Sequence, residues 1–160
     1  MKIMSKIAAA SVAALLVPAS AFAATGNIPF SGSVANTCVI TVGSSGTLGV
    51  STDFATLGSS EAGGALGSAN VLATGAGFSL SADAPTAWDS APATGGTNVS
   101  FAATYAATGP TTIPTTNGGT LTALNRGNHS VSVGMTAQKT VLGETFESGS
   151  YDATVVLRCE

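Results

Sequence analysis

The chain is predicted to be all-β, an antiparallel sandwich or barrel, on three observations. Apolar residues alternate with small polar ones at period two in short runs. Gly, Pro, Asn and Ser punctuate those runs. Beyond the first 23 residues no long window carries a strong 3.6-residue apolar period.

The first element is not a strand. Lys2 and Lys6 make a basic start, Ile7 to Val17 is apolar and Ala-rich, and Pro18 breaks the run before Ala21-Phe22-Ala23, a small-x-small cleavage site. This predicts a secretory signal peptide over 1–23, a single β-domain over 24–160, and a protein exported through the periplasm to the cell surface or beyond. The apolar run is shorter than the ~20 residues needed to span a bilayer. No later segment is long and apolar enough, so no transmembrane segment is expected.

Ile28, Phe30 and Val34 share a parity that Cys38, Ile40 and Val42 continue. Gly43-Ser44-Ser45-Gly46 is a turn, and Thr47–Val50 and Val71–Ala73 are short strand candidates on either side of a Gly/Ser-rich loop, Gly58–Ser68. Phe78, Leu80 and Ala82 mark a strand, as do Val99, Phe101, Ala103 and Tyr105. Pro110, Pro114, Asn117, Gly118 and Gly119 mark a second loop, and Val131, Val133, Met135 and Ala137 a further strand. The final strand runs from Tyr151 to Cys159. Tyr151, Ala153, Val155, Leu157 and Cys159 form its inner face; Asp152, Thr154, Val156, Arg158 and Glu160 form its outer face. Gly143–Ser150 is expected to join the last two strands as a hairpin with a wide loop. No fixed-period repeat is present.

Composition narrows the function. After the signal only Arg126, Lys139 and Arg158 are basic, against eight acidic side chains. Three scattered cations make neither a nucleic-acid footprint nor a basic membrane face. Charged residues are 8% of the chain, about a third of the usual ~25%. The surface is therefore Ser, Thr, Asn, Gly and Ala, as in exported proteins that assemble. The two cysteines, Cys38 and Cys159, are expected to pair in an oxidising compartment. Their bridge would close a loop of about 120 residues, worth ~4–5 kcal/mol at most in the chain-entropy model.

No catalytic pattern emerges, and no metal or other cofactor is expected. His129 is the only histidine and reads as a solvated turn residue before a strand. No nucleophile-elbow pattern accompanies it. Asp53, Glu61, Asp83 and Asp89 have neither calcium-loop spacing nor a glycosidase context and read as solvated loop acids. The glycines form no phosphate loop, since no Gly-Lys-Ser/Thr follows them. Trp88, in the loop Asp83–Asp89, reads as a cap on one end of the core rather than a sugar platform.

Two end motifs resemble a known family. Ile28-Pro-Phe-Ser-Gly-Ser-Val-Ala-Asn-Thr-Cys38-Val-Ile40 resembles the first strand of chaperone–usher pilus subunits. Ser130–Val133 through Gly149-Ser-Tyr151-Asp-Ala-Thr154-Val155 resembles the closing hairpin of spore coat protein U-like and archaic pilus subunits. The resemblance implies an immunoglobulin-like antiparallel β-sandwich lacking its last strand. It implies a groove filled first by a periplasmic chaperone, delivered to an outer-membrane usher, and then filled by the N-terminal extension of the next, identical or homologous, subunit. The donor would be Ala24 to about Phe30, with Ala24, Ile28 and Phe30 as candidate residues. The acceptor groove would lie between the strand at Cys38 and the closing strand, Tyr151, Ala153, Val155 and Leu157.

The cysteines favour a different expectation. A Cys38–Cys159 bridge needs Cα atoms within ~7 Å, which brings together the two strands that should flank an open groove. Two readings follow: a fibre or matrix subunit assembling by strand addition, and a self-contained secreted sandwich, closed by the bridge, that binds a carbohydrate or surface component through loops such as Asp83–Asp89.

Overall fold

The computed structural model describes residues 24–160; the expected signal, residues 1–23, lies outside the described residues. The chain divides after Gly32. Ala24–Gly32 carries no strand. Ser33–Glu160 holds ten strands, and no helix occurs among the described residues.

The strands are β1 (Cys38–Val42), β2 (Gly49–Val50), β3 (Thr56–Gly58), β4 (Gly67–Ala73), β5 (Ser79–Asp83), β6 (Val99–Thr108), β7 (Ile113–Asn117), β8 (Thr122–Ala123), β9 (Gly127–Lys139) and β10 (Val156–Cys159). All pairings are antiparallel. The larger sheet is organised on β9, whose 13 residues pair with β4 and then β3 along one edge and with β6 along the other. β1 extends the sheet beyond β4, β2 beyond β3, and β7 beyond β6. The smaller sheet has the order β10-β5-β8. The all-β expectation holds, and this arrangement is compatible with an immunoglobulin-like sandwich.

Alternation buries one face of each sheet against the other. Val71 of β4, Val131 of β9 and Tyr105 of β6 meet Leu80 and Ala82 of β5 in one apolar cluster. Leu57, Met135, Ala137 and Phe146 form a second cluster further along β9. Two devices tie the sheets together by hydrogen bonds. The buried Tyr105 hydroxyl lies 3.0 Å from the Leu80 carbonyl, 2.7 Å from the Thr120 carbonyl and 2.7 Å from the Thr122 hydroxyl. Gly118 donates its N–H to the Ala103 carbonyl and accepts the Ala82 N–H at 2.8 Å. A side chain at Gly118 would run into the Ala82 carbonyl, so only glycine fits the crossing.

Several expectations are corrected. The parity at Ile28, Phe30 and Val34 is real, but the first strand begins only at Cys38. The loop containing Pro114 holds β7, and proline is tolerated there because β7 is an edge strand with one neighbour. Part of the expected Gly58–Ser68 loop belongs to β4, which starts at Gly67. Strand pairing in the closing segment covers Val156–Cys159 rather than the whole of Tyr151–Cys159. The expected hairpin between the last two strands is absent: β9 and β10 lie in different sheets. His129 is not a solvated turn residue. It sits inside β9, faces inward opposite Val71, and is fully buried. Its Nε2 accepts the Thr111 N–H at 3.2 Å, and its Nδ1 is buried with no partner in the chain.

If Tyr105 holds the sheets together, Tyr105→Phe leaves buried acceptors unsatisfied and lowers unfolding stability by about 1–3 kcal/mol. Tyr105→Ala adds a cavity and costs about 3–5 kcal/mol. Urea denaturation of the two variants checks the order.

Candidate functional site

The two edge strands β1 and β10 face each other, one from each sheet. β1 pairs only with β4, and β10 only with β5. Each therefore presents one unpaired edge, which proteins normally pair, cover or blunt. Here the edges border a cleft of about 710 Å³. Ile40, Val42, Leu48 and Val50 line one flank; Tyr151, Ala153, Val155 and Leu157 line the other; Leu57, Val133 and Met135 form the floor. Val133 lies inward on the central strand yet is only half-buried, as are Ile40, Leu48, Val155 and Leu157. The cleft thus exposes the inside of the sandwich. Among the described residues, the one charged residue lining it is Asp152.

One end of the cleft is fixed. Cys38 and Cys159 form a disulfide with their Cα atoms 6.2 Å apart. The predicted bridge is present, but it joins the flanks only at that end. Along the rest of the cleft β1 and β10 make no ladder. Arg158, on the outer face of β10, donates from Nε to the Asp83 carboxylate on β5. That hydrogen bond and charge hold the guanidinium above its already high range.

The other end is capped by aromatic rings. Trp88 lies 5.0 Å from Phe101 and 5.0 Å from Tyr151, centroid to centroid, and Phe146 lies 5.4 Å from Tyr151. These edge-on and tilted contacts are the favoured packing of aromatic quadrupoles. Lys139 Nζ sits 5.1 Å from the Phe146 centroid. Trp88 therefore packs into the core end, as expected. A shallower depression of about 440 Å³ runs beside it, lined by Thr86, Asp89, Ser90 and Pro92 among others. The Tyr151 hydroxyl donates to the Glu147 carbonyl at 3.0 Å. Burial, and secondarily the Glu147 charge, raise its pKa above the usual 10.0.

The closing-strand candidates Tyr151, Ala153, Val155 and Leu157 are brought together on the cleft wall, and alternate half-buried with exposed neighbours as predicted. The donor candidates are not drawn into any strand: Ile28 is 77% and Phe30 92% exposed, and Ala24 is exposed. The acids do not converge, and Asp83 is no loop acid: it ends β5 and pairs with Arg158. Asp53 accepts from the Ser51 hydroxyl and the Ala55 N–H, which lower its pKa, and Asp89 accepts from Thr154. No group of three metal-ligating side chains occurs among the described residues. Sequence reasoning missed the floor, Leu57, Val133 and Met135. The parity of Val133 and Met135 was visible, but not that the cleft leaves Val133 half-buried while Met135 is buried.

In comparisons with known proteins, no family model matches the chain, no curated protein matches it, and no solved structure matches it.

The raised Tyr151 phenol gives a pH dependence of defined sign. The folded state favours the neutral phenol, so this contribution is fully present below pH 10 and lost as pH rises through the raised value. The thermal midpoint is expected to fall more steeply above pH 10 in the unaltered chain than in Tyr151→Phe, as followed by Trp88 fluorescence.

Proposed function

We propose that the chain is an exported structural subunit of a bacterial surface fibre or extracellular matrix, assembling by β-strand addition without catalysis. One observation carries the proposal: a cleft bordered by two unpaired strand edges leaves Val133, on the inner face of β9, only half-buried. An added strand would pair with both edges and cover Val133, Leu48 and Val155. The immunoglobulin-like resemblance supports the same reading, since its groove lies between the strand at Cys38 and the closing strand.

The donor would be the segment from Ala24 to about Phe30 of another copy or a homologous subunit. Its Ile28 and Phe30 share a parity and are exposed in their own chain. A periplasmic chaperone would fill the cleft before assembly, and an outer-membrane usher would be the site of exchange. The bridge is compatible with this reading because it joins the flanks at one end only. The alternative, a self-contained carbohydrate-binding sandwich, draws on the depression beside Trp88 and Asp89. It leaves the open cleft without a role.

Complementary variants test the proposal. Phe30→Asp spoils the donor and Val155→Asp spoils the acceptor. Each alone is expected to stop the growth of SDS-resistant polymers by the processed chain while leaving its circular dichroism unchanged. Mixed together, they are expected to stop at one-to-one dimers, read by native mass spectrometry. A processed chain that stays monomeric without a chaperone and melts in one cooperative transition argues for the self-contained sandwich instead.

A further inference from the structure

An asparagine side chain can close a ring with the backbone nitrogen of the next residue, and a neighbour without a Cβ leaves that approach open. Of the seven asparagines, six precede Ile, Thr, Val, Val, Arg and His; only Asn117 precedes a glycine. In the folded chain this pair ends β7, with Asn117 exposed opposite Thr104 of β6 and Gly118 buried. The nitrogen that would attack is already engaged. Gly118 N–H donates to the Ala103 carbonyl at 2.9 Å, and the Gly118 carbonyl accepts the Ala82 N–H at 2.8 Å. Thr120 N–H closes a turn on the Asn117 carbonyl at 3.0 Å. To reach Asn117 Cγ, the Gly118 nitrogen must leave β6 and rotate out of the crossing between the sheets. That motion breaks a buried hydrogen bond and pulls the Gly118 carbonyl from Ala82.

We infer that Asn117-Gly118 is a spontaneous deamidation site that the fold holds shut and that unfolding opens. In the open chain the Gly118 nitrogen gives up its proton and bonds to Asn117 Cγ. The side-chain nitrogen takes up a proton and leaves as ammonia, and a five-membered succinimide remains. Water then opens the ring. Cleavage at Cγ gives aspartate. Cleavage at the main-chain carbonyl gives isoaspartate, in which the backbone runs through the former side chain. Nothing is oxidised or reduced, and water is the only co-reactant.

The two products meet the crossing differently. Aspartate keeps the backbone length, and at an exposed position its charge stays in water. Isoaspartate adds a main-chain carbon between the ladder position opposite Thr104 and the Gly118 nitrogen. Both ends of that link are pinned, and Gly118 is so tightly held between Ala82 and Ala103 that not even a Cβ fits. An isoaspartyl chain therefore cannot rebuild the Gly118 crossing together with the Thr120 carbonyl that receives the Tyr105 hydroxyl. The unfolded chain ages chemically: the longer it stays unfolded, the smaller the share that can still fold.

The test follows the processed, bridged chain at mildly alkaline pH, both folded and in guanidinium chloride, by peptide mass spectrometry. In guanidinium chloride Asn117 is expected to gain about 1 Da ahead of the other six asparagines. In the folded chain the same change is expected at least about tenfold more slowly. Removing the denaturant from the aged sample and sizing it separates folded from unfolded chains. The folded pool is expected to contain asparaginyl and aspartyl chains and to exclude isoaspartyl ones. Asn117→Asp is expected to fold from the start, and Asn117→Gln to refold fully after the same ageing. If either variant fails to fold, the sorting within the unaltered chain decides alone. Equal rates in the folded and unfolded states, or isoaspartyl chains shared evenly between the two pools, overturn the inference.

Discussion

A strand edge is a row of donors and acceptors that must find partners, and this chain leaves two such edges side by side. β9 satisfies both of its own edges with β4, β3 and β6. The smaller sheet satisfies β5 with β10 and β8. Among the strands left with one neighbour, β1 and β10 have their outer edges held near each other by the two faces of a common core. Much of the molecule follows from that arrangement. The half-buried state of Val133, the cleft and the apolar walls on either side all lie where neither edge finds a partner within the chain.

The rest of the fold makes the gap tolerable. Tyr105 and Gly118 stitch the sheets through hydrogen bonds on the side away from the cleft, and the bridge pins its near end. Trp88, Phe101, Phe146 and Tyr151 close the far end of the core with rings. A sandwich that lacked these fastenings would be free to slide its sheets together and erase the opening. Low charge on the cleft walls keeps the opening suited to apolar side chains rather than to an ionic ligand.

Much of this was legible because alternation is a local property. The inner face Tyr151, Ala153, Val155, Leu157 was read from parity alone, and so was the buried face of β6 and β9. The bridge was legible from compartment and an even cysteine count. Neighbour relations were not. Nothing local states that β10 pairs with β5 instead of β9, since that choice is made by packing between sheets. β7 was lost because Pro114 and the glycines after it signal a turn, although an edge strand has no need of the missing N–H. His129 was misplaced by the strand boundary: β9 starts at Gly127 and not at Val131, and a polar residue at an inward position then becomes fully buried. The cleft floor was unreadable for a different reason, since it is made where two sheets stand apart and no local pattern states that spacing.

The bridge joins positions 121 residues apart in sequence that lie only 6.2 Å apart in space. In mechanical terms the chain between them is a closed ring with both attachment points at one spot. Tension that enters through the residues before Cys38 and leaves through anything gripped beside β10 crosses from flank to flank through a covalent link. The sheets strung along the ring are left out of the load path. Stretching can then break hydrogen bonds at the cleft, but it cannot draw out the domain behind it while the sulfurs stay joined.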